Sequence, residues 1–579
     1  MRPIAAWCLL ALVPFAARAQ DTVIVIRPES LGLGFEVPEL SRALADEAIR
    51  FFNAPGTARL AGRTVLPRGG EWRGNVAVRG GPVELAGRLD GSLLVINGDA
   101  VLLPGAEITG SLLVVGGGLR GADSATVAGG VRVHRELLWY RVDADTISYA
   151  PSLRRRFPGL GARGTWTAGE TKTSLTLATA GTYNRVEGLP VVFGPTFEWF
   201  MKESTRLRLD ALGMFRLGAD LSDDRSDLGY QVRAEFRRGE TTGWGLGVRG
   251  YDLVAGVEDW KLHNDEVGWA AFLARRDYRD YFHNRGVAAR VFAQPAPPVS
   301  LGLELRYERQ FSEIASDPIS VVRNSEAWRP NPPIDGGFFT TVGASVGYDT
   351  RNDRWDPTAG WLLRGTLEFT SSDDVSPQPG IPPAVRDSIR PNDYHFTRAW
   401  LDGRRYLRLS QGSRLNLRLL AGGWLGGDPL PMQRRLSLEG PDPLPGYGFR
   451  YLACNAAITD SVYVGTLAAA CDRVLLAQLE FRGHVSLRWV YDPERDPHGP
   501  GLLTVWFQGL DVVAFVNGGQ AWLVGSGSGQ FASDEIPPLR DWLADLGLGI
   551  DWGGLVIYVA KAVTAREPVR VILRLDHRF

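Results

Sequence analysis

The sequence of 579 residues lacks three features: a long apolar run beyond its first twenty residues, a net charge larger than −1 and a metal-ligating pattern. Helical membrane proteins need repeated apolar runs of about 18 residues or more, so helical transporters and channels are excluded. Lys and Arg total 64 against 65 Asp and Glu, and this balance provides no positive field for nucleic acid. The seven His residues show no metal-ligand spacing, so we expect neither a metal nor a cofactor.

Cysteine is also scarce, with three in the chain, and Cys8 lies in a segment that has the features of an export signal. Arg2 is followed by an apolar run over 5–17 and by Ala-Arg-Ala at 17–19, which fits the small-x-small cleavage pattern. We therefore expect residues 1–19 to be a signal peptide. The alternative is a membrane anchor, which this run disfavours because it is too short to span a bilayer of about 30 Å.

Loss of the signal would leave Cys454 and Cys471 in an exported compartment, where disulfides persist. We expect these two cysteines to be bonded to each other. The alternative is two unpaired thiols.

The next segment combines a short helix with an internal repeat. Residues 20–60 contain a strand-like run at 23–26 and a helix that begins at Pro38 and ends near Asn53. Over 61–135, four similar segments begin with glycines 17, 19 and 19 residues apart, at Gly74, Gly91, Gly110 and Gly129. This period is typical of a three-sided β-helix, and the stretch resembles the right-handed β-helix of bactofilin-like proteins. The alternative is a small Gly-rich sheet, and a linker is expected over 136–169.

From residue 170 to 579 the pattern changes to strict alternation of apolar and charged residues. Leu301, Leu303 and Leu305 alternate with Gly302 and Glu304, for example. A soluble β-sandwich also alternates, but this segment is too long for one sandwich. Its connections alternate between tight turns and long polar loops, as in outer-membrane barrels. We therefore predict an all-β fold: a sixteen-stranded antiparallel transmembrane β-barrel preceded by a small periplasmic β-helix.

The last strand of the predicted barrel also carries the pattern of an outer-membrane assembly signal. Val571, Leu573, Leu575 and Phe579 share one face, which we expect to contact lipid. Arg574 lies on the opposite, lumen-facing row, where we expect substitution to be milder.

Several motifs, taken in order over some 230 residues, resemble one family. They occupy residues 349–353, 356–361, 433–436, 439–441, 444–447, 479–482 and 515–519. The family is the outer-membrane assembly and translocation barrel superfamily that contains BamA, the two-partner secretion transporters and the bacterial surface antigen proteins. The resemblance implies a barrel whose sixth outer loop folds inward. The POTRA domains of that family are not apparent before residue 170.

In this family the tip of the sixth loop carries an Arg that pairs with acids on the inner wall. The corresponding residues here are Leu444, Pro445, Gly446, Tyr447 and Arg450 at the tip, with Glu480 and Asn517 on the wall. Pro445 occupies the usual Arg position, and Asn517 occupies the position of an acid. Arg450 could pair with Glu480 instead, or it could simply be solvated.

The resemblance implies a non-enzymatic barrel that inserts or moves polypeptide or lipid at the outer membrane of a diderm bacterium. The expected partners are outer-membrane lipid, the outer-membrane assembly machinery and a periplasmic protein bound through the β-helix. The alternative is a passive porin or structural barrel that its β-helix anchors to a periplasmic partner.

Overall fold

The computed structural model describes residues 40–579, with short interruptions. The residues outside the description are 144, 150–160, 180–182, 202–203, 219–227, 240–241, 354–355, 378–389, 411, 453, 455–469, 486–509, 528, 553–554, 576–577 and 579. The expected signal peptide at 1–19 and the strand-like run at 23–26 therefore lie outside the described residues.

The first described element is helix α1 (Arg42–Asn53). The Ser41 hydroxyl accepts a hydrogen bond from the Leu44 amide and caps the first turn. The helix buries Ala45, Ala48 and Phe52, which share one helical face. These buried residues pack against the short strands that follow helix α1.

Thirteen short strands follow helix α1. They are β1 (Ala58–Ala61), β2 (Thr64–Leu66), β3 (Glu71–Arg73), β4 (Val76–Arg79), β5 (Val83–Leu85), β6 (Arg88–Asp90), β7 (Leu93–Ile96), β8 (Ala100–Leu102), β9 (Glu107–Ile108), β10 (Leu112–Val115), β11 (Leu119–Arg120), β12 (Thr126–Val127) and β13 (Val131–His134). A 3₁₀ helix, Ala122–Ser124, lies in the last coil.

These strands form three parallel sheets, in the orders β1-β4-β7-β10-β13, β11-β8-β5-β2 and β12-β9-β6-β3, so the chain winds as a three-sided solenoid. Val76, Leu93, Leu112 and Val131 stack in register, and each occupies the same place in one predicted repeat. The predicted β-helix is thus confirmed, and the alternative of an ordinary small sheet is wrong. Glycine fits its corners because a side chain there would overlap the backbone of the preceding coil, as at Gly98.

The outer face of the first solenoid sheet is covered by helix α1 and by the hairpin β14 (Tyr140–Asp143) and β15 (Thr146–Tyr149). At the edge of this contact Arg132 donates two hydrogen bonds to Glu47. The Arg132 hydrogen bond is the main reason why the pKa of Glu47 lies below its ordinary value.

The rest of the chain forms one large sheet together with helix α2 (Asn264–Ala274). Its strands are β16 (Gly161–Ala168), β17 (Thr171–Thr179), β18 (Gly188–Met201), β19 (Thr205–Gly218), β20 (Leu228–Arg238), β21 (Gly243–Val257), β22 (Asp280–Ala296), β23 (Val299–Ser312), β24 (Gly337–Asp349), β25 (Gly360–Ser372), β26 (Tyr394–Ser410), β27 (Ser413–Gly427), β28 (Arg473–Val485), β29 (Leu510–Val524), β30 (Gln530–Phe531), β31 (Leu543–Trp552), β32 (Leu555–Ala562) and β33 (Arg570–Arg574). Two 3₁₀ helices, Met432–Arg434 and Leu539–Asp541, lie in its loops.

Consecutive strands of this sheet pair antiparallel from β16 to β33, except that short β30 pairs in parallel with β29. Among the described residues this gives seventeen antiparallel strands, where we expected sixteen. The additional strand is β16, which lies in the expected linker. Its sequence is rich in Gly and Thr, and Trp166 is its one large apolar residue, so alternation did not reveal it.

The two faces of the sheet differ as the alternation predicts. On β23, Leu303 is 59% exposed and Tyr307 is 52% exposed, whereas Arg306 is 1% exposed and Glu308 is fully buried. An exposed apolar face around a buried charged interior is the arrangement of a membrane β-barrel. The predicted barrel is therefore confirmed. Of the two α-helices in the described residues, neither is long and apolar enough to cross a membrane.

Candidate functional site

The barrel interior is lined with Arg–carboxylate pairs that join different strands. Examples are the pairs Arg249–Glu304 at 2.8 Å, Arg306–Glu368 at 2.7 Å and Arg418–Asp402 at 2.9 Å. Buried charges are stable only when they are paired, so these contacts tie the wall together from inside. They also give the lumen a polar surface that loops can contact by hydrogen bonds.

The loop between β27 and β28, residues 428–472, folds into this interior, and we call it the inward loop. All residues from 431 to 440 and from 442 to 447 are buried. Its apolar residues Leu436, Leu438, Leu444 and Tyr447 pack in one cluster with side chains from five strands, namely Leu420, Val474, Leu476, Ala521, Leu543 and Ala562. Each large side chain buried in this way contributes about 1.5–3 kcal/mol, so the loop is held by a core of its own.

The tip of the inward loop, residues 443–447, is bound to the wall through backbone and side-chain groups. The Gly446 amide donates to Oδ2 of Asp545 at 2.6 Å, and Nδ2 of Asn517 donates to the other oxygen of Asp545 at 2.6 Å. The Tyr447 hydroxyl donates to the carbonyl of Ala544 at 2.9 Å. Asp545 therefore bridges the tip and Asn517.

Glycine is required at position 446 because the wall lies so close. A Cβ there would come within 2.6 Å of the Ala562 nitrogen, 2.7 Å of the Asp545 Cβ and 2.8 Å of the Lys561 carbonyl carbon. Two of these three atoms belong to the backbone of the wall and cannot move aside. Any side chain at this position would displace the tip from the wall.

Arg450 contacts Asp280, a different wall residue from the Glu480 considered in the sequence analysis. Its Nη2 donates to Oδ2 of Asp280 at 2.5 Å and lies 3.9 Å from Glu258. Glu480 accepts hydrogen bonds from Arg482 at 2.6 Å and from Asn416 at 3.3 Å. Arg450, which adopts a positive φ of 54°, therefore pairs with Asp280, the first residue of β22.

The base of the inward loop is closed by covalent and backbone bonds. Cys454 and Cys471 form a disulfide with a Cα–Cα distance of 5.3 Å. Leu436 and Cys471 exchange two backbone hydrogen bonds, at 2.8 and 2.6 Å. The hydroxyl of Ser437 donates to Glu258 at 2.8 Å, which fixes the loop to the end of β21. The two halves of the loop are therefore joined where it enters the barrel.

The solenoid docks against the turn end of the barrel, which we define by the connections β24–β25 and β26–β27. Arg408 donates to the carbonyl of Asn97 in the solenoid at 2.8 Å and to the hydroxyl of Thr358 at 2.8 Å. The Leu137 amide donates to the carbonyl of Asn352 at 2.9 Å. Thr358 and Asn352 belong to the motif at 349–361, so this motif provides the docking surface for the solenoid.

Sequence reasoning missed several residues of this site. Asp545 and Asp442 contact the loop or form part of it, yet each stands alone in its segment and matches no motif that we expected. Arg408 lies in strand β26 and Asn97 lies at a corner of the solenoid. Their contact could not be predicted because the two residues are distant in the sequence and meet only in the fold. Of the C-terminal assembly residues, Val571 and Leu573 are exposed on the outer face, Leu575 follows the last strand residue, and Phe579 is outside the described residues.

Residues 228–490, from β20 through β28, match the model of the Omp85 superfamily domain. The fold is similar to that of BamA from Haemophilus ducreyi lacking POTRA domains 1–3, at 13% identity and a TM-score of 0.41, covering 72% of this chain and 75% of that chain. It is also similar to CdiB from Acinetobacter baumannii, at 12% identity and a TM-score of 0.28 over 75% of this chain and 68% of that chain. No curated protein matches the chain.

These features define a transmembrane β-barrel with an inward loop. The Omp85 superfamily domain model matches part of this barrel, and a β-solenoid precedes the barrel. Within the described residues, no group of three or more His, Cys, Asp and Glu side chains is arranged to hold a metal ion.

Proposed function

We propose that this protein inserts or translocates polypeptide or lipid at the outer membrane, and that the inward loop closes its pore at rest. The observation that carries the proposal is the buried loop, whose residues 431–440 and 442–447 are buried and whose apolar side chains pack against β27, β28, β29, β31 and β32. A closed barrel of this kind keeps solutes from crossing until a client or lipid displaces the loop.

The docked solenoid supports a second part of the proposal. It lies at the turn end, which is the periplasmic end of outer-membrane barrels in general. We therefore place the solenoid in the periplasm, where it presents a surface to a protein partner. The outer-membrane assembly machinery and outer-membrane lipid are the further partners that insertion of the barrel requires.

The alternative is a passive porin or a structural barrel that the solenoid anchors to a periplasmic partner. The buried inward loop disfavours an open porin, because no such loop is needed for free diffusion. A structural barrel differs from a translocator in its partners, since it would bind no client barrels.

Planar-bilayer recordings test the closing role of the loop. Intact protein should give a low and fluctuating conductance, and deletion of 441–450 should make it large and steady. Deletion of 534–536, three exposed residues between β30 and β31, is the control and should leave the trace unchanged. A steady, large conductance in the intact protein would identify a porin instead.

Crosslinking in cells tests the proposed activity separately. A photo-crosslinker placed on the exposed solenoid residue Val65 should capture envelope proteins. Client barrels among the captured proteins support assembly or translocation, whereas cell-wall components alone would support the structural alternative.

A further inference from the structure

A second set of contacts holds the inward loop, and it involves the last strand of the sheet. Asp442 lies just before the loop tip, and its side chain is fully buried. Its Oδ1 lies 3.4 Å from Nη1 of Arg574 and 3.9 Å from Nε of Arg578. The loop thus carries the acid, and β33 with the following Arg578 carries the cations.

Arg574 is fixed in place by helix α2. Its Nε and Nη2 donate to the two carboxylate oxygens of Glu266 at 2.5 and 2.9 Å, a paired geometry that orients the guanidinium. The Leu575 amide also donates to Glu266 at 3.1 Å. Glu266 lies in the first turn of α2, where a carboxylate is also stabilised by the helix dipole.

Arg578 makes further contacts with the same loop. Its Nη2 donates to the carbonyl of Pro443 at 2.8 Å, and its guanidinium lies 4.2 Å from the ring centre of Phe515 on β29. The side chain of Arg578 is fully buried. Arg578 therefore contacts the loop on both sides of the bond between Asp442 and Pro443.

Glu266, Asp442, Arg574 and Arg578 form what we call the Asp442 cluster. Two carboxylates face two guanidinium groups, so the cluster has no net charge although all four side chains are buried. Loss of one member leaves an uncompensated buried charge, which is far more costly than loss of a surface pair.

We propose that Arg574 and Arg578 are positioning residues that hold the inward loop against the wall through Asp442, and that Glu266 orients Arg574 for this contact. The consequence for function rests on the proposed closing role of the loop. Because β33 is the end strand of the sheet order, a displacement of β33 would remove both cations from Asp442 and release the loop. The end strand and the loop are thereby coupled.

Hydrogen–deuterium exchange of the full-length protein in detergent tests the contact directly. Asp442→Asn should speed the exchange of amides 440–450 at least about tenfold, because the buried Arg pair loses its acid. Asp442→Glu keeps the charge and should stay much closer to wild type. Asp428→Asn removes an acid from the same loop, where it accepts from the His395 amide far from β33, and should leave these amides unchanged. Wild-type exchange in Asp442→Asn would overturn the proposal.

A double variant separates a specific pairing from general loss of structure. Arg578→Gln alone leaves Asp442 with one cation fewer, whereas Asp442→Asn combined with Arg578→Gln restores the charge balance. The double variant should therefore loosen the loop less than the sum of the single effects. Strict additivity, or faster exchange throughout strands β18 to β28, would show that the cluster acts only in folding and would contradict the positioning role.

Conductance measured on the same variants distinguishes this inference from the proposed function. If Asp442→Asn frees the loop and raises the open probability of the pore, the positioning role of the cluster and the closing role of the loop are both supported. If exchange at 440–450 rises while conductance is unchanged, the Asp442 contact is real but the loop does not close the pore. That result would overturn the proposed closing role and leave the positioning role supported.

Discussion

Substitution of Gly446 by Ala is the sharpest test of how the loop tip is held. The added Cβ would lie 2.6 Å from the backbone nitrogen of Ala562 and 2.8 Å from the carbonyl carbon of Lys561, distances that real Cβ atoms do not adopt. The wall at this point is strand β32, whose backbone is fixed by its neighbours. The tip must therefore move away, and the hydrogen bond from the Gly446 amide to Asp545 is lost.

The expected loss of docking free energy follows from the lost hydrogen bond and from the overlap of the added Cβ with the wall. A hydrogen bond to a charged group contributes about 1.5–3 kcal/mol, and overpacking costs about 1–3 kcal/mol. Displacement of the tip removes the overlap, so the terms do not simply add, and we expect docking to weaken by about 2 kcal/mol. This corresponds to an increase of about thirtyfold in the ratio of undocked to docked tip.

Planar-bilayer conductance and amide exchange at 440–450 measure the undocked fraction, and Gly448→Ala is the matched control. The nearest atoms to a Cβ at position 448 would be Nη2 and Cζ of Arg570, at 3.1 and 3.8 Å, and Oε2 of Glu567, at 4.0 Å, all of them at the ends of flexible side chains. Gly448→Ala should therefore behave as wild type. Equal behaviour of the two variants would refute the tight contact at Gly446.

Three further predictions concern the rest of the chain. Reduction of the Cys454–Cys471 disulfide, or its replacement by two serines, should lower loop stability by about 3 kcal/mol, measured as faster exchange in the loop; free-thiol labelling of unreduced protein checks that the bond forms. Arg408→Ala should release the solenoid, seen as faster proteolysis between solenoid and barrel with an unchanged heat-modifiability of the barrel. Because the pKa of Glu47 is lowered, its pair with Arg132 stabilises the solenoid fully at pH values above 4.5, and this stabilisation is lost as the pH falls through the lowered pKa. The pair is exposed, so the effect is small. Glu47→Gln should abolish this pH dependence in thermal melting.

Two regular patterns made most of the fold predictable from sequence. The glycine-led repeat predicted the solenoid because each coil buries its apolar residues only against the neighbouring coils. A residue's position in the repeat therefore determines its position in the stack. Alternation fixed the barrel because each strand has one face toward the exterior and one toward the lumen. Both patterns can be recognised within single strands or single repeats, without knowledge of which segments pair.

The contacts of the site were harder to predict because they join distant segments. The resemblance left open whether Arg450 pairs with Glu480 or is solvated, and in the structure Arg450 donates to Asp280, which no motif indicated. Substitution of Arg574, as a lumen-facing residue, was expected to be milder than placing Asp at lipid-facing Leu573 and Leu575. The paired contact of Arg574 with Glu266, 308 residues away, shows that loss of Arg574 would leave a buried carboxylate without its cation.

The motif at 349–361 shows how one turn can serve both the barrel and the solenoid. The Asn352 side chain accepts the amides of Thr358 and Ala359, at 3.0 and 3.1 Å, and so fixes the turn. Its backbone carbonyl remains directed outward and accepts the Leu137 amide. On the solenoid, the Asn97 side chain exchanges two hydrogen bonds with the backbone of Leu138.

Asn352 and the segment that joins Asn97 to Leu138 are therefore each held by hydrogen bonds within their own domain. Contacts between groups that are already ordered cost little further entropy, so few hydrogen bonds suffice to hold the solenoid in one orientation. Under the proposed function, a client bound to the solenoid would be held at a defined position relative to the barrel and presented to the pore that the inward loop is proposed to close.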